Sequence, residues 1–206
     1  MTILAMLRHA ETAWSLQGRI QGRTDIPLCD EGRFGLSGRT IPAEFAAMRV
    51  VTSPLALCVE TAAVLGLVPQ ELEERIVEMS WGDWEGRRLS GLRAELGEAM
   101  AENEARGMDF RPPGGESPRI VYARVRGWLA EVASESRPTL AVTHRGVMRV
   151  VFAAAVRWDM CGRPPARMTW GALQIFRLDP SGLPAVLCLN VPLAEKSGAS
   201  VGGIAR

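Results

Sequence analysis

His9 and His144 are the only histidines in the 206-residue chain, and each closes a short apolar run. Residues 2–7 and Thr139–Thr143 both read as buried strands, being four to seven residues long and bounded by polar groups. Two imidazoles at strand ends can meet along one edge of a sheet. A neutral imidazole is a competent nucleophile near its unperturbed pKa of ~6.5. Arg8, its immediate neighbour, suits an anionic substrate. Metal ligation is a poorer fit, because the sequence offers no H-x-H spacing and no pattern of partners to orient such ligands.

The elements that must position these groups alternate along the chain. Residues 11–35, rich in Gly, Arg, Gln and Asp, read as a long loop with turn signals. Arg49–Thr52 is a second strand, followed by Ser53 as N-cap and Pro54 at the first helical position of a helix reaching about Gly66. An edge-like strand over 71–77, a loop over 80–91 and a polar helix over 91–107 come next. Ser117-Pro118 opens a helix with an apolar stripe at Val121, Val125, Trp128 and Val132. After the strand ending at His144 come a helix over roughly 146–157 and a hairpin of two strands, 173–178 and 185–189. This alternation predicts a three-layer α/β/α sandwich with a mainly parallel sheet, forming one domain over residues 1–193 with a flexible tail over 194–206. Ligands of such sheets bind beyond the carboxyl ends of the strands. That singles out Arg8-His9, Thr52-Ser53 and Thr143-His144.

Composition narrows the class. Hydrophobic residues make up 47% and charged residues 23%, which excludes a disordered or fibrous chain. A net charge of +1 gives no general pull toward nucleic acid or anionic membrane, although Lys196 is the only lysine among 24 basic residues. No apolar run approaches the ~18 residues of a membrane helix. The four cysteines form no C-x-x-C pair and read as isolated buried thiols of a reducing cytoplasm. The apolar C-terminal hairpin could serve as the edge of a homodimer.

Several fragments, in order, resemble one family. Leu7-Arg8-His9-Ala10-Glu11-Thr12, then Gln17-Gly18-Arg19-Ile20-Gln21-Gly22 and Asp25-Ile26-Pro27-Leu28, resemble the opening of the histidine phosphatase superfamily, which includes the phosphoglycerate mutases. Ser53-Pro54-Leu55 with Glu60-Thr61-Ala62 resembles its S-P-L-x-R-A-x-x-T-A block. Residues 78–86 resemble its E-x-x-x-G-x-W-E-G segment. Pro113–Ser117 and Thr143–Val147 resemble P-x-G-E-S and S/T-H-x-G-V. The combination spans about residues 3–150 and is specific, while any single fragment is weak.

The resemblance implies a phosphatase that cleaves a small phosphorylated metabolite through a phosphohistidine on His9 and releases inorganic phosphate, with no metal or other cofactor. Glu78 would serve as acid and then base, and Arg8 and His144 would hold the phosphoryl oxygens, with Ser15 and Gly22 also on the phosphate. Asp83 and Glu85 are nearby rivals to Glu78. Glu11 could instead pair with an arginine or cap a helix, and Trp81 and Trp84 suit packing. Arg19, Arg23 and Arg87 are candidate contacts to the distal part of the substrate. Phosphoglycerate mutase activity is the alternative, ranked lower because 206 residues leave little room for enclosing insertions. Three positions depart from the pattern: Ala10 for glycine, Ser15 for asparagine, and Leu57 for a phosphate-clamping arginine. Leu57 points to a weakly clamped pocket, or to a ligand-binding relative with little catalysis.

Overall fold

Alternation of side chains along the central strands sets the architecture. In the computed structural model, which describes residues 1–196, β1 (Thr2–Arg8) directs Leu4 and Met6 to one face and Ala5 and Leu7 to the other. All four are buried, as a strand covered on both sides requires. In chain order there follow α1 (Ala13–Leu16), α2 (Asp30–Leu36), β2 (Arg39–Thr40), β3 (Arg49–Thr52), α3 (Ala56–Val64) and β4 (Glu71–Leu72). The chain continues through α4 (Leu89–Leu96), α5 (Glu98–Ala105), α6 (Pro118–Glu135), β5 (Thr139–Thr143) and α7 (Arg145–Val156). It closes with β6 (Ala172–Leu178), β7 (Pro184–Pro192) and β8 (Ala194–Glu195).

The main sheet has the order β4-β3-β5-β1-β6-β7. The first four strands in that order are mutually parallel, while β6 and β7 add an antiparallel edge. One face carries α6 and α7, whose Val121, Val125, Trp128 and Val132 stripe packs with Val147, Val151 and Phe152 against the sheet. The expected stripe is therefore the real contact face of α6, and Ser117 caps that helix by accepting from Ile120 N at 3.3 Å. The opposite face is covered by Leu57, Cys58 and Ala62 of α3 and by Leu36 and Leu65. The three-layer expectation and the mostly parallel sheet both hold.

Local departures have physical reasons. The 11–35 segment is not all loop. Thr12 closes a capping box with Ser15 to start α1, and Asp30 and Glu31 at its N-terminus favour α2 through the helix dipole. The polar helix over 91–107 is two helices, because Gly97 at φ +52° turns the chain between them. The edge strand over 71–77 shrinks to Glu71–Leu72, since a 3-10 turn takes over at Glu74. The helix after β3 starts at Ala56 with Leu55 as N-cap, so Ser53 is not its cap. Ala194–Glu195 pair with Arg39–Thr40, which carries ordered pairing past the 193 boundary; residues 197–206 lie outside the described residues. Of the cysteines only Cys58 is buried, while Cys161 and Cys188 are exposed. β7 is the outer strand and exposes Val186 and Leu187, the apolar edge expected of the hairpin. No helix among the described residues is long and apolar enough to cross a membrane.

Candidate active site

Strand register brings the chemistry together. Arg8 pairs with Thr143 and Thr52 with Val142, so β1, β5 and β3 end side by side. The ladder continues one step further through His9 N to Thr143 O at 2.9 Å and Ser53 N to Val142 O at 3.0 Å. His9 and His144 consequently lie with ring centroids 5.3 Å apart and planes inclined by 57°. Both rings are buried. The three strand ends picked from sequence form one cluster.

Hydrogen bonds fix each imidazole. His9 Nδ1 lies 2.7 Å from Ala10 O, which can only accept, so Nδ1 carries the proton and Nε2 keeps its lone pair. Burial, then the Arg8 charge, lowers the His9 pKa to about 3, so the ring is neutral above that pH. His144 Nε2 sits 2.8 Å from Ser53 Oγ, and Cys58 Sγ lies 3.5 Å from the same nitrogen. Burial, then the His9 charge, holds the His144 pKa well below the usual value. Ser53 and Cys58 are neighbours that motif reading did not assign to the site. Ser53 stands at one of the strand ends, and a buried hydroxyl there was the available signal.

Glu78 follows the 3-10 turn after β4 and faces the start of α7. Its Oε1 accepts from Met79 N at 2.9 Å and its Oε2 from Gly146 N at 3.1 Å. Burial nevertheless dominates and raises its pKa, against those two amides and the charges of Arg124 and Arg8. Gly146 is required by this approach: a Cβ there would lie 2.3 Å from Glu78 Oε1. Glu85, a rival for the acid role, is instead a strut. Its carboxylate accepts from Arg23 N, Thr24 N, Thr24 Oγ1 and Trp81 N. Asp83 lies on the 3-10 turn of residues 82–84, and a Cβ added at Gly114 would lie 3.6 Å from its Oδ1.

Arg8 Nη1 pairs with Glu11 Oε1 at 2.9 Å, while its Nε is buried with no partner. An orphaned guanidinium donor beside His9 is what an anion site needs when the anion is not bound. Arg8, His9, Glu11, Trp170 and, from α2, Gly32 and Leu36 line a cavity of about 170 Å³, to which Glu78 and His144 do not contribute.

The remaining expected residues divide. Ser15 Oγ is engaged within the α1 cap and with Glu11 Oε2, so it supports Glu11 and through it Arg8. Gly22, at φ +60°, leaves room for the Glu85 carboxylate, which a Cβ would meet at 2.0 Å. Arg23 reaches the Glu78 backbone oxygen at 3.4 Å and Glu116 at 3.0 Å. Arg19 pairs through its backbone with Arg88, and Arg87 is bound to Glu95. Neither is brought to the histidines. Leu57 is fully enclosed among Leu28, Cys58, Ala62 and Val142, so it leaves no cation at that turn and does not line the cavity. Ala10 N donates to Thr61 Oγ1 at 2.9 Å, which anchors the backbone after His9. No three His, Cys, Asp or Glu side chains among the described residues form a metal-ligand set.

Comparison with known proteins finds relatives over most of the chain. A family model described as the histidine phosphatase superfamily (branch 1) matches residues 4–191. The glucosyl-3-phosphoglycerate phosphatase of Mycobacterium tuberculosis is 31% identical over 177 residues, 78% of each protein. A 2,3-bisphosphoglycerate-dependent phosphoglycerate mutase of Gloeobacter violaceus is 32% identical over 164 residues, 74% of each. The structure of mycobacterial glucosyl-3-phosphoglycerate phosphatase with inorganic phosphate superposes with a TM-score of 0.72 at 27% identity, covering 93% of this chain and 98% of that one.

Proposed function

The chain belongs to the histidine phosphatase superfamily, and from that premise we propose that it hydrolyses a small phosphomonoester through a phosphohistidine on His9, with inorganic phosphate as product. The hydrogen bond from His9 Nδ1 to Ala10 O carries this reading, because it leaves Nε2 as a neutral nucleophile at working pH. Nε2 attacks phosphorus as the P–O bond to the alcohol breaks. Glu78, whose pKa burial raises, gives its proton to the departing oxygen. Water then attacks the phosphohistidine, Glu78 takes a proton from it, and the P–N bond returns its electrons to Nε2. Arg8 and His144 hold the equatorial oxygens, whose charge dominates the transition state.

No step calls on a metal, so activity should survive a chelator and be blocked by vanadate. The decisive test is labelling from a ³²P-labelled monoester with an alkaline quench, which spares the P–N bond. Label on the wild type that is lost in His9→Ala supports the reading, and turnover without any acid-labile phosphoenzyme overturns it. The matching mutase suggests a second outcome, return of the phosphoryl group to a bound phosphoglycerate. Release of inorganic phosphate separates hydrolysis from transfer. Four unpaired cysteines suit work in the reducing cytoplasm.

A further inference from the structure

The first turns of α7 carry two arginines that hydrolysis of the phosphoryl group itself does not use. Arg145 lies with its guanidinium carbon 5.1 Å from the centroid of the Trp170 ring, and Arg149, one turn on, 5.5 Å from that of Trp158. Neither guanidinium makes a hydrogen bond or ion pair among the described residues. Arg87, Arg93, Arg119 and Arg124, by contrast, are each tied to a carboxylate. Stacking on an indole face orients a guanidinium while leaving its in-plane N–H donors free.

Their place relative to the chemistry gives these free donors a target. Trp170 lines the cavity that contains Arg8 and His9. Gly146, next in sequence to Arg145, holds Glu78 through its amide. Glu78 is the group placed above at the leaving oxygen, so the alcohol portion of a substrate leaves His9 on the α7 side. Arg145 is exposed at the rim, unlike Arg8, whose side chain is 13% exposed. A rim cation on the leaving-group side suits a distal group rather than the phosphoryl group in transfer.

We propose that Arg145, extended by Arg149, binds a second anionic group on the alcohol portion of the substrate, so that the enzyme prefers phosphomonoesters bearing a carboxylate or a second phosphoryl group. This rests on the phosphatase reading above and deepens it.

Two matched pairs of probes test it. 3-Phosphoglycerate and glycerol 3-phosphate differ by a carboxylate. Propane-1,3-diol bisphosphate and 3-hydroxypropyl phosphate differ by a phosphoryl group. The expected result is a wild-type kcat/KM ratio of at least about 10-fold for the doubly anionic member of one pair, the magnitude of charge-assisted hydrogen bonding. The pair that shows it identifies the anion. In Arg145→Ala that ratio should fall to about 2-fold or less, with partial recovery in Arg145→Lys. A ratio near one in both pairs for the wild type overturns the proposal. So does a loss in Arg145→Ala shared equally by both members, which would put Arg145 on the transferring phosphoryl group. If the wild type turns over none of the four, the phosphatase reading fails separately. Calorimetric binding of the same compounds to wild type and Arg145→Ala then decides the role of Arg145 alone: an Arg145-dependent preference for the dianion supports it, and equal affinities overturn it.

Discussion

The sheet edge and the rim of the cleft are built differently. At the sheet edge His9, Ser53 and His144 are buried. The His9 Nδ1–H is held by a backbone carbonyl and the Glu78 carboxylate by two backbone amides. Those backbone partners sit just after β1, just after Glu78 and in the first turn of α7. At the rim, Arg23, Arg87 and Arg145 are long, exposed side chains whose contacts are to other side chains or to a loop carbonyl. Groups that must hold a pKa and a tautomer gain from rigid backbone partners and low dielectric. Groups that select a substrate need to meet solvent-borne ligands. The contrast separates reaction type from substrate choice, and each half can be broken independently.

The largest expected effect is at the sheet edge. His9→Ala should lower kcat on any phosphomonoester by about 10⁴-fold or more, as for other lost nucleophiles, with thermal stability little reduced. Steady-state release of inorganic phosphate checks it. Residual activity above one-hundredth would move the nucleophile elsewhere.

Glu78→Gln comes next and carries a pH signature. On alkyl phosphates kcat should fall by about 10²–10⁴-fold, on aryl phosphates by less than about 10-fold, because only a poor leaving group needs the proton. The wild type should lose alkyl-phosphate activity as pH rises through the raised Glu78 pKa. On the acid side His9 stays an unprotonated nucleophile down to about 3. Aryl phosphates should lack the alkaline limb. Equal losses on both substrate types would remove Glu78 from the acid role.

Stability should respond to pH in a related way. His9 has a folded pKa below its unfolded ~6.5, so its contribution is complete above 6.5 and is lost as pH falls from there toward about 3. His144 acts in the same direction. Glu78 works oppositely, since its contribution is complete below its unfolded value and is lost as pH rises. Each histidine can contribute up to about 1.4 kcal/mol per pH unit in its window. Denaturation midpoints between pH 7 and 5 should fall for the wild type and fall less for His9→Gln.

What the sequence made legible follows the same division. Short apolar runs specified β1, β3 and β5, and their ends located His9, Ser53 and His144 without any structure. The motif order added Glu78. Side-chain partners chosen in three dimensions were not legible. Ser53 read as a helix cap because Ser-Pro commonly opens helices, yet its hydroxyl contacts a histidine that follows a strand far along the chain. Ser15 read as a phosphate ligand, yet a local capping box competes for its hydroxyl. Leu57 read as the loss of a clamping arginine at the pocket, and its side chain turns into the core between α3 and the sheet. Arg145 and Arg149 drew no assignment as substrate contacts, because cation–π stacking leaves no spacing signal.

A subtler break of the sheet edge is Gly146→Ala. The added methyl would push on the Glu78 carboxylate, the flexible end of a side chain, rather than on backbone. The fold should survive with a Tm change of a few degrees. Alkyl-phosphate kcat should fall by about 10-fold, since a displaced acid donates poorly. Aryl-phosphate activity should fall less. An equal fall on both would mean that the methyl disturbs the phosphoryl site rather than the acid.

The smallest expected effect sharpens the contrast within the rim itself. Arg87 is as cationic as Arg145, but its guanidinium is bound to Glu95 of α4, and both side chains are about half exposed. An exposed ion pair of this kind is worth about 0.2–1 kcal/mol. Because its donors are already engaged, Arg87 should offer a substrate anion little that solvent does not. Arg87→Ala should therefore leave the kcat/KM ratio between 3-phosphoglycerate and glycerol 3-phosphate within about 2-fold of wild type. The urea midpoint should shift slightly, and less at high salt, where such pairs are screened. A loss of anion preference in Arg87→Ala comparable to that in Arg145→Ala would show that pairing state does not distinguish the rim arginines, and that substrate displaces Glu95 on binding.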